Sequence, residues 1–237
     1  MLAYSLVQEY TQALLDLLFP PRCVSCQNPD AWLCSRCLNN IFFITAPFCE
    51  RCGSPLATSL SSCGQCRKNP LKYIDGIRAA SLFKNNPIRP AIHFLKYNNR
   101  KAVAAVLGKI LADAYQDYDL SADVIVPVPL HPARLRERGY NQSELLARNI
   151  GKILSLPVNT MTLQRVRQTK SQMELGAEER YLNVAGAFTC RDNALSGQRV
   201  LLIDDVYTTG STLTACAEAL KQRGAAAVWG LTLAKAG

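Results

Sequence analysis

The chain has 237 residues, of which 49% are hydrophobic, 19% charged and 8% aromatic, a soluble globular composition long enough for one ordinary α/β domain plus a small appendage. No run of about 18 apolar residues occurs, and the start, MLAYSLVQEYTQALLDLLFPP, carries Glu9 and Asp16 without the basic flank or cleavage site of a signal peptide, so a cytoplasmic protein without a transmembrane segment is expected. The 27 basic residues exceed the 18 acidic ones and give a formal charge of +9.

Residues 1–20 predict an amphipathic helix, with Leu6, Val7, Tyr10, Leu14, Leu17 and Leu18 on one face. Its polar positions include acids, which favours packing on the body or a partner over lying on a membrane. Residues 21–70 then hold eight of the ten cysteines as four C-x2-C pairs: Cys23/Cys26, Cys34/Cys37, Cys49/Cys52 and Cys63/Cys66. Two thiolates at this spacing reach one tetrahedral Zn²⁺, and two pairs complete a closed four-cysteine site. Four pairs predict two zinc ions. A disulfide framework is the alternative, but no secretion signal accompanies it and cysteines at this spacing are poorly placed to bond one another. Pairing the first knuckle with the second and the third with the fourth closes shorter loops than a crossed arrangement. The segment is too poor in apolar residues for its own core, so metal replaces the core, and the body beyond Tyr73 is expected to stay folded without it. Eight thiolates and two Zn²⁺ bring the charge to about +5. Cys190 and Cys216 stand apart from these pairs and read as buried packing residues.

Residues 71–237 alternate strands and helices. DGIRAASLF reads as a strand and NRKAVAAVLGKILADAYQDY as a helix with Val103, Val106, Leu107, Ile110, Leu111 and Ala114 in register. ADVIVPVPL is a short buried strand, and NQSELLARNIGKIL a helix capped at Asn141 or Ser143. PVNTMTLQRV is a weaker strand, Arg167 to Glu179 a polar loop, GAFTC a short strand and QRVLLIDDV the most apolar strand. TLTACAEALKQRGA forms the next helix, ending at Gly224, and AAVWGLTLAKA the last strand. This order predicts a mostly parallel sheet flanked by helices.

Ligands of such sheets sit where strands end and helices begin. VLLIDDVYTTGST, residues 200–212, is such a place: the chain is expected to leave the sheet after Ile203, and the helix to begin near Leu213. Gly210 lets the backbone approach a ligand, while Thr208, Thr209, Ser211 and Thr212 put hydroxyls and N–H groups at the positive helix end. No lysine follows the glycine, so this is not a Walker loop. Asp204 and Asp205 would repel a bare phosphate but suit ribose hydroxyls and Mg²⁺ one sugar away.

This stretch resembles the phosphoribosyl pyrophosphate (PRPP) signature of type I phosphoribosyltransferases, and with the cysteine knuckles before it the whole chain resembles the competence protein F family. The resemblance implies a type I phosphoribosyltransferase fold behind a double zinc ribbon, and a role in natural transformation beside a helicase-like competence ATPase and incoming single-stranded DNA. It implies ribose binding by Asp204 and Asp205 and 5′-phosphate binding by residues 208–212. The turn after VPVPL matches the family's pyrophosphate loop, where Arg134, Arg136 and Arg138 grip a diphosphate or form a solvated basic surface. His131, between Pro129 and Pro132, reads as structural. Residues 167–179 match a flexible closing loop in which Lys170 or Arg167 neutralises departing pyrophosphate, or which has no chemical role. Thr208 stands where purine salvage enzymes have an aspartate, which disfavours oxopurine salvage. An amidotransferase would need a catalytic cysteine and domain that this sequence lacks. Two functions follow: a binding module that takes PRPP and single-stranded DNA, or an active phosphoribosyltransferase with an unidentified acceptor. Arg89, Lys96, Arg100 and Lys101, interleaved with Phe94 and Tyr97, suit DNA backbone and base stacking, or an amphipathic helix packed on the sheet.

Overall fold

The computed structural model describes residues 21–29, 31–57, 61–97, 102–169 and 177–236. The expected N-terminal helix, Arg100, Lys101 and Lys170 lie outside them. A four-stranded parallel sheet forms the centre, in the order β1 (Gly76–Leu82), β6 (Ala227–Lys235), β5 (Arg199–Tyr207), β2 (Val124–Pro127). Alternation within β5 divides the core. Leu201 and Ile203 face a cluster with Ile92, Leu95, Leu107, Leu111, Leu146 and Ile150, which belong to α3 (Ile88–Tyr97), α4 (Val103–Asp117) and α6 (Gln142–Leu154). Val200 and Leu202 face the other cluster, with Leu213, Ala217 and Leu220 of α8 (Ser211–Lys221). A sheet covered on both faces requires strands apolar on both sides, as these are.

The expected weak strand over PVNTMTLQRV divides in two. Val158 bridges Ile125 at the edge of the main sheet, whereas β3 (Leu163–Arg165) pairs antiparallel with β4 (Phe188–Cys190) in a separate ribbon. Between β3 and β4 the polar segment ends in α7 (Ala177–Val184), so Glu179 is helical rather than part of a loop. α5 (Pro132–Arg138) occupies the position expected to be a turn. The other sheet edge is covered by residues 42–44, whose main chain bonds to Ala80 and Leu82 at 3.0 and 3.1 Å.

The cysteine segment repeats one plan twice. Cys23/Cys26 and Cys49/Cys52 lie in tight turns closed by Gln27 N–H to Cys23 O and Gly53 N–H to Cys49 O, both 2.7 Å, with Gln27 and Gly53 left-handed at φ 65°. Cys34 and Cys63 are the N-caps of the short helices α1 (Ser35–Asn39) and α2 (Gly64–Lys68), which bring in Cys37 and Cys66. The first unit is not an appendage. Cys23, Val24, Leu33, Cys37 and Ile41 belong to the same core as α3 and α4, and Trp32 meets Phe94 at 6.1 Å between ring centroids. Cys190 and Cys216 are buried, as expected.

Candidate functional site

β2 stops at Pro127, opposite Ile203, while β5 continues along β6 to Tyr207, opposite Lys235. The chain therefore stays in the sheet four residues beyond the expected exit. Asp204 and Asp205 sit where β5 has lost its neighbour on one side, which opens a crevice at the carboxyl end of the sheet.

Two elements close that crevice around the acids. Lys96, near the end of α3, places its Nζ 2.8 Å from Asp205 Oδ2. Asp205 is 4% exposed; its Oδ1 accepts from Val206 N–H at 2.7 Å. Beyond the Lys96 ion pair, its buried Oδ2 has no hydrogen-bond partner. Burial works against the charge on Lys96, but Asp205 and Asp204 more than offset it and hold its pKa above the ordinary value. From the other side, Ser143 Oγ donates to Asp204 Oδ1 at 2.8 Å. Asn141 caps α6 by accepting from Ser143 N–H at 3.0 Å and donates to the carbonyl of Val128, the residue after β2, also at 3.0 Å. Tyr140 OH donates to Leu95 O, which fixes the main chain beside Lys96. Burial, reinforced by the neighbouring Asp205 carboxylate, pushes the Asp204 carboxyl up to about 7. The two acids are thus not equivalent. Asp205 is ion-paired, whereas Asp204 titrates near neutrality.

Residues 208–212 follow directly. Gly210 is left-handed at φ 81° and is the N-cap of α8, which begins at Ser211 rather than near Leu213. Thr209 Oγ1 lies 3.0 Å from Ser211 Oγ, so two of the loop's hydroxyls are already oriented together. A Cβ there would also meet Ile77 Cδ1 at 2.6 Å and Leu71 Cδ2 at 3.5 Å, beneath the loop.

The basic candidates separate. Arg134 and Arg136 lie exposed on α5, and Arg138 turns back to donate to Gln142 Oε1 at 2.6 Å. Arg167 is occupied at the carboxyl end of α7, donating to Asn183 O and Ala185 O at 3.0 and 2.6 Å. His131 caps α5 through Nδ1, which accepts from Ala133 N–H at 3.3 Å. Lys96, which the sequence allowed either on a DNA-stacking face or on an amphipathic helix packed against the sheet, lies on such a helix and pairs with Asp205. Arg165 was not singled out in the sequence. It stacks over Phe188 at 5.3 Å and has a buried, unpartnered Nε. Its charge is felt against those of Arg134, Asp204 and Arg167, while burial lowers its pKa. Ser143 was noted as a cap and not as a site residue. Neither role has a local signal, because each depends on a distant partner, Asp204 in β5 for Ser143 and Phe188 in β4 for Arg165, 61 and 23 positions away.

The cysteine sites fit zinc. In each of the sets Cys23/Cys26/Cys34/Cys37 and Cys49/Cys52/Cys63/Cys66 the ligand atoms all lie within 4.8 Å of one another, close to the roughly 3.8 Å between sulfurs of a tetrahedral Zn–S₄ shell. Pairing is therefore sequential. Cys26 and Cys34 sulfurs are 3.5 Å apart and Cys52 and Cys63 sulfurs 3.6 Å, far beyond the roughly 2.05 Å of a disulfide. The Asn28 main-chain N–H holds the Cys26 thiol down to about 6, whereas burial pushes Cys37 up to about 12. A cation that stabilises all four thiolates removes this conflict.

The double zinc ribbon family model matches residues 14–67, and the phosphoribosyl transferase domain model matches residues 94–236. Competence protein F of Haemophilus influenzae is 32% identical over 226 residues, which cover 90% of this chain and 97% of that protein. The chain belongs to the competence protein F family. The DNA utilization protein YhgH of Escherichia coli is 33% identical over 90% of this chain and 96% of its own length. Competence protein ComFC of Bacillus subtilis is 28% identical over 84% of this chain and 82% of its own. Among solved structures, the glutamine PRPP amidotransferase from B. subtilis, complexed with ADP and GMP, aligns with a TM-score of 0.41 and 19% identity over 60% of this chain and 30% of that one. The orotate phosphoribosyltransferase from Aeropyrum pernix aligns at 0.38 and 17% over 62% and 64%. The family models and the sheet itself carry the fold assignment. No helix among the described residues is long and apolar enough to cross a membrane.

Proposed function

We propose that this competence protein F relative acts in DNA uptake as a PRPP-binding module that also contacts single-stranded DNA. The observation that carries the ligand reading is the crevice at the end of β5. A buried acid whose Oδ2 is met only by the Lys96 ammonium, a second acid that titrates near neutrality and a glycine-centred loop at a helix N-terminus lie within nine residues, 204–212. Residues 208–212 would take the 5′-phosphate, and Asp204 and Asp205 the ribose hydroxyls. Mg²⁺, held with the help of these acids, would neutralise diphosphate charge. Arg165, with Arg134 nearby in charge, suits the diphosphate better than Arg167, whose guanidinium is committed to α7.

The DNA reading rests on the family's relatives and on α5, where Arg134 and Arg136 flank Leu135, itself 42% exposed. Contact there would be to phosphates and sequence-tolerant. Zinc in both cysteine sites serves the fold. A second reading, an active transferase, is favoured by Arg165 of β3, which stacks on Phe188 and whose charge is felt by Asp204.

Calorimetry with PRPP and Mg²⁺ tests the ligand. Asp205→Asn removes a charge and frees Lys96, and is expected to weaken binding about 100-fold while circular dichroism stays unchanged; wild-type levels of binding in that variant would overturn the assignment. Single-stranded DNA should shift with an affinity that falls steeply between low and moderate salt, and salt-indifferent binding would exclude the DNA reading. Pyrophosphate release in a nucleobase screen would establish the transferase instead.

A further inference from the structure

The second cysteine unit touches the phosphate loop from two sides. Tyr207, 5% exposed, is the last residue of β5 and immediately precedes the loop. Its hydroxyl donates to the main-chain carbonyl of Cys52. Beside Cys52, Arg51 donates to the carbonyls of Leu71, Ile74 and Asp75 at 2.8, 3.2 and 3.3 Å, and its own carbonyl accepts from Ile77 N–H at 2.8 Å. Leu71 and Ile77 are the side chains beneath Gly210. The contact is close enough to require glycine on the ribbon side also: a Cβ on left-handed Gly53 would stand 2.7 Å from Ile77 O. One route therefore reaches the start of the loop, and the other supports its middle.

Both routes use main-chain carbonyls of the Cys49–Cys52 turn. The positions of these carbonyls depend on the turn geometry that four-sulfur ligation fixes. Among the described residues, the main chain of the first unit makes no hydrogen bond to residues 71–77 or to the loop. That unit meets the body through apolar side chains against α3 and α4, and α3 carries Lys96 near its end.

We propose that the Cys49/Cys52/Cys63/Cys66 site is the footing of the phosphate loop. Tyr207 and Arg51 are positioning residues that make the loop's affinity for phosphate depend on metal in that site and much less on metal in the first. The proposal rests on residues 208–212 binding phosphate. By reciprocity, a phosphate ligand in the loop must raise that site's affinity for zinc by the same factor, and by favouring the ligated geometry it is expected to slow loss of the ion. No electron transfer or covalent step is involved. Loss of this ion to a chelator would release the ligand without touching it.

The test uses the full chain. Zinc release to a chromogenic chelator is followed with and without PRPP and Mg²⁺, and the two phases are assigned with Cys26→Ser and Cys63→Ser. Tyr207→Phe, which removes one hydroxyl from a buried ring, should speed release of the second ion several-fold, leave the first ion unchanged and weaken PRPP about 10-fold. Arg51→Ala should act in the same direction, and PRPP should slow only the second phase in wild type. If folded Tyr207→Phe and Arg51→Ala release both ions at wild-type rates, the footing does not exist, whatever PRPP does. If wild type binds PRPP but both variants bind it equally well, the footing is overturned while the ligand assignment stands. If wild type fails to bind PRPP, the ligand assignment falls, and with it the dependence of phosphate affinity on metal.

Discussion

Residues 23–37 and 49–66 each carry a turn-borne cysteine pair followed by a helix-borne one, yet the body grips them differently. Side chains hold the first: Trp32 on Phe94, with Leu33 and Ile41 in the core of α3 and α4. The second forms a small cluster of its own around Cys49, Cys52 and Cys66 and is held largely by main-chain carbonyls, through Tyr207, Arg51 and Arg78. Arg78 donates to Glu50 O at 2.8 Å and lies 5.0 Å from the rings of both Phe48 and Trp229. Apolar packing tolerates small shifts because it is non-directional, whereas hydrogen bonds to carbonyls weaken steeply with angle. The same metal chemistry can therefore serve as a staple in one unit and as a geometric reference in the other. The second unit also bonds to residues 71–77, at the start of the body, through Arg51.

The largest expected effect separates the two metals. Cys66→Ser and Cys37→Ser should each lose one of two zinc ions by elemental analysis, but Cys66→Ser should weaken PRPP about 100-fold, or roughly 2.7 kcal/mol, and Cys37→Ser less than about 10-fold. Hydrogen exchange over residues 71–77 should accelerate in Cys66→Ser alone. Equal losses of affinity would erase the distinction between the units.

Trp32→Ala sharpens the other half of the comparison. Loss of its packing should lower stability by about 2 kcal/mol in urea unfolding while changing PRPP affinity less than about 3-fold. A large affinity loss would mean that the first unit also sets the crevice.

Asp204 supplies a pH test. Its folded pKa of about 7 lies above the ordinary carboxylate value, so the folded protein retains a proton that the unfolded chain has released. The stability this gives is complete below about pH 4 and is lost as pH rises through about 7. If PRPP and Mg²⁺ bind the ionised carboxylate, binding should release a proton and tighten over that upper range, seen by calorimetry in buffers of different ionisation enthalpy. Ser143→Ala, which removes the hydroxyl donor, should move the midpoint upward and cost about 1 kcal/mol. A midpoint that does not move would remove Ser143 from the site.

The smallest effect is expected on exposed α5. Arg136→Ala should change stability by less than about 0.5 kcal/mol and leave PRPP binding unchanged, while single-stranded DNA affinity falls. Unaltered DNA binding in that variant, and in Arg134→Ala, would move the DNA face elsewhere.

Much of the chemistry was legible because it is local. C-x2-C spacing specifies a metal knuckle within one turn, and an apolar strand followed by two acids and TTGST specifies a strand end, a glycine-centred loop rich in hydroxyls and a helix start. These are patterns over four to thirteen residues, and period alone reveals them. The strand's exit and the helix's start were misplaced by a few residues because pairing with β6, which extends to Lys235, outweighs the local polarity of Asp204 and Asp205.

Sequence by itself determined the α/β class, the double zinc ribbon and the position of the acidic crevice, since each depends on residue types at short, fixed separations. Tertiary structure decided the rest. It paired Lys96 with Asp205 across 109 positions, set Ser143 on Asp204 and took Arg167 out of the site. It also decided that Tyr207 meets Cys52. Such partners are chosen by how helices cross the sheet and where β2 stops, and a long-range contact leaves no periodic trace in either of the segments that make it.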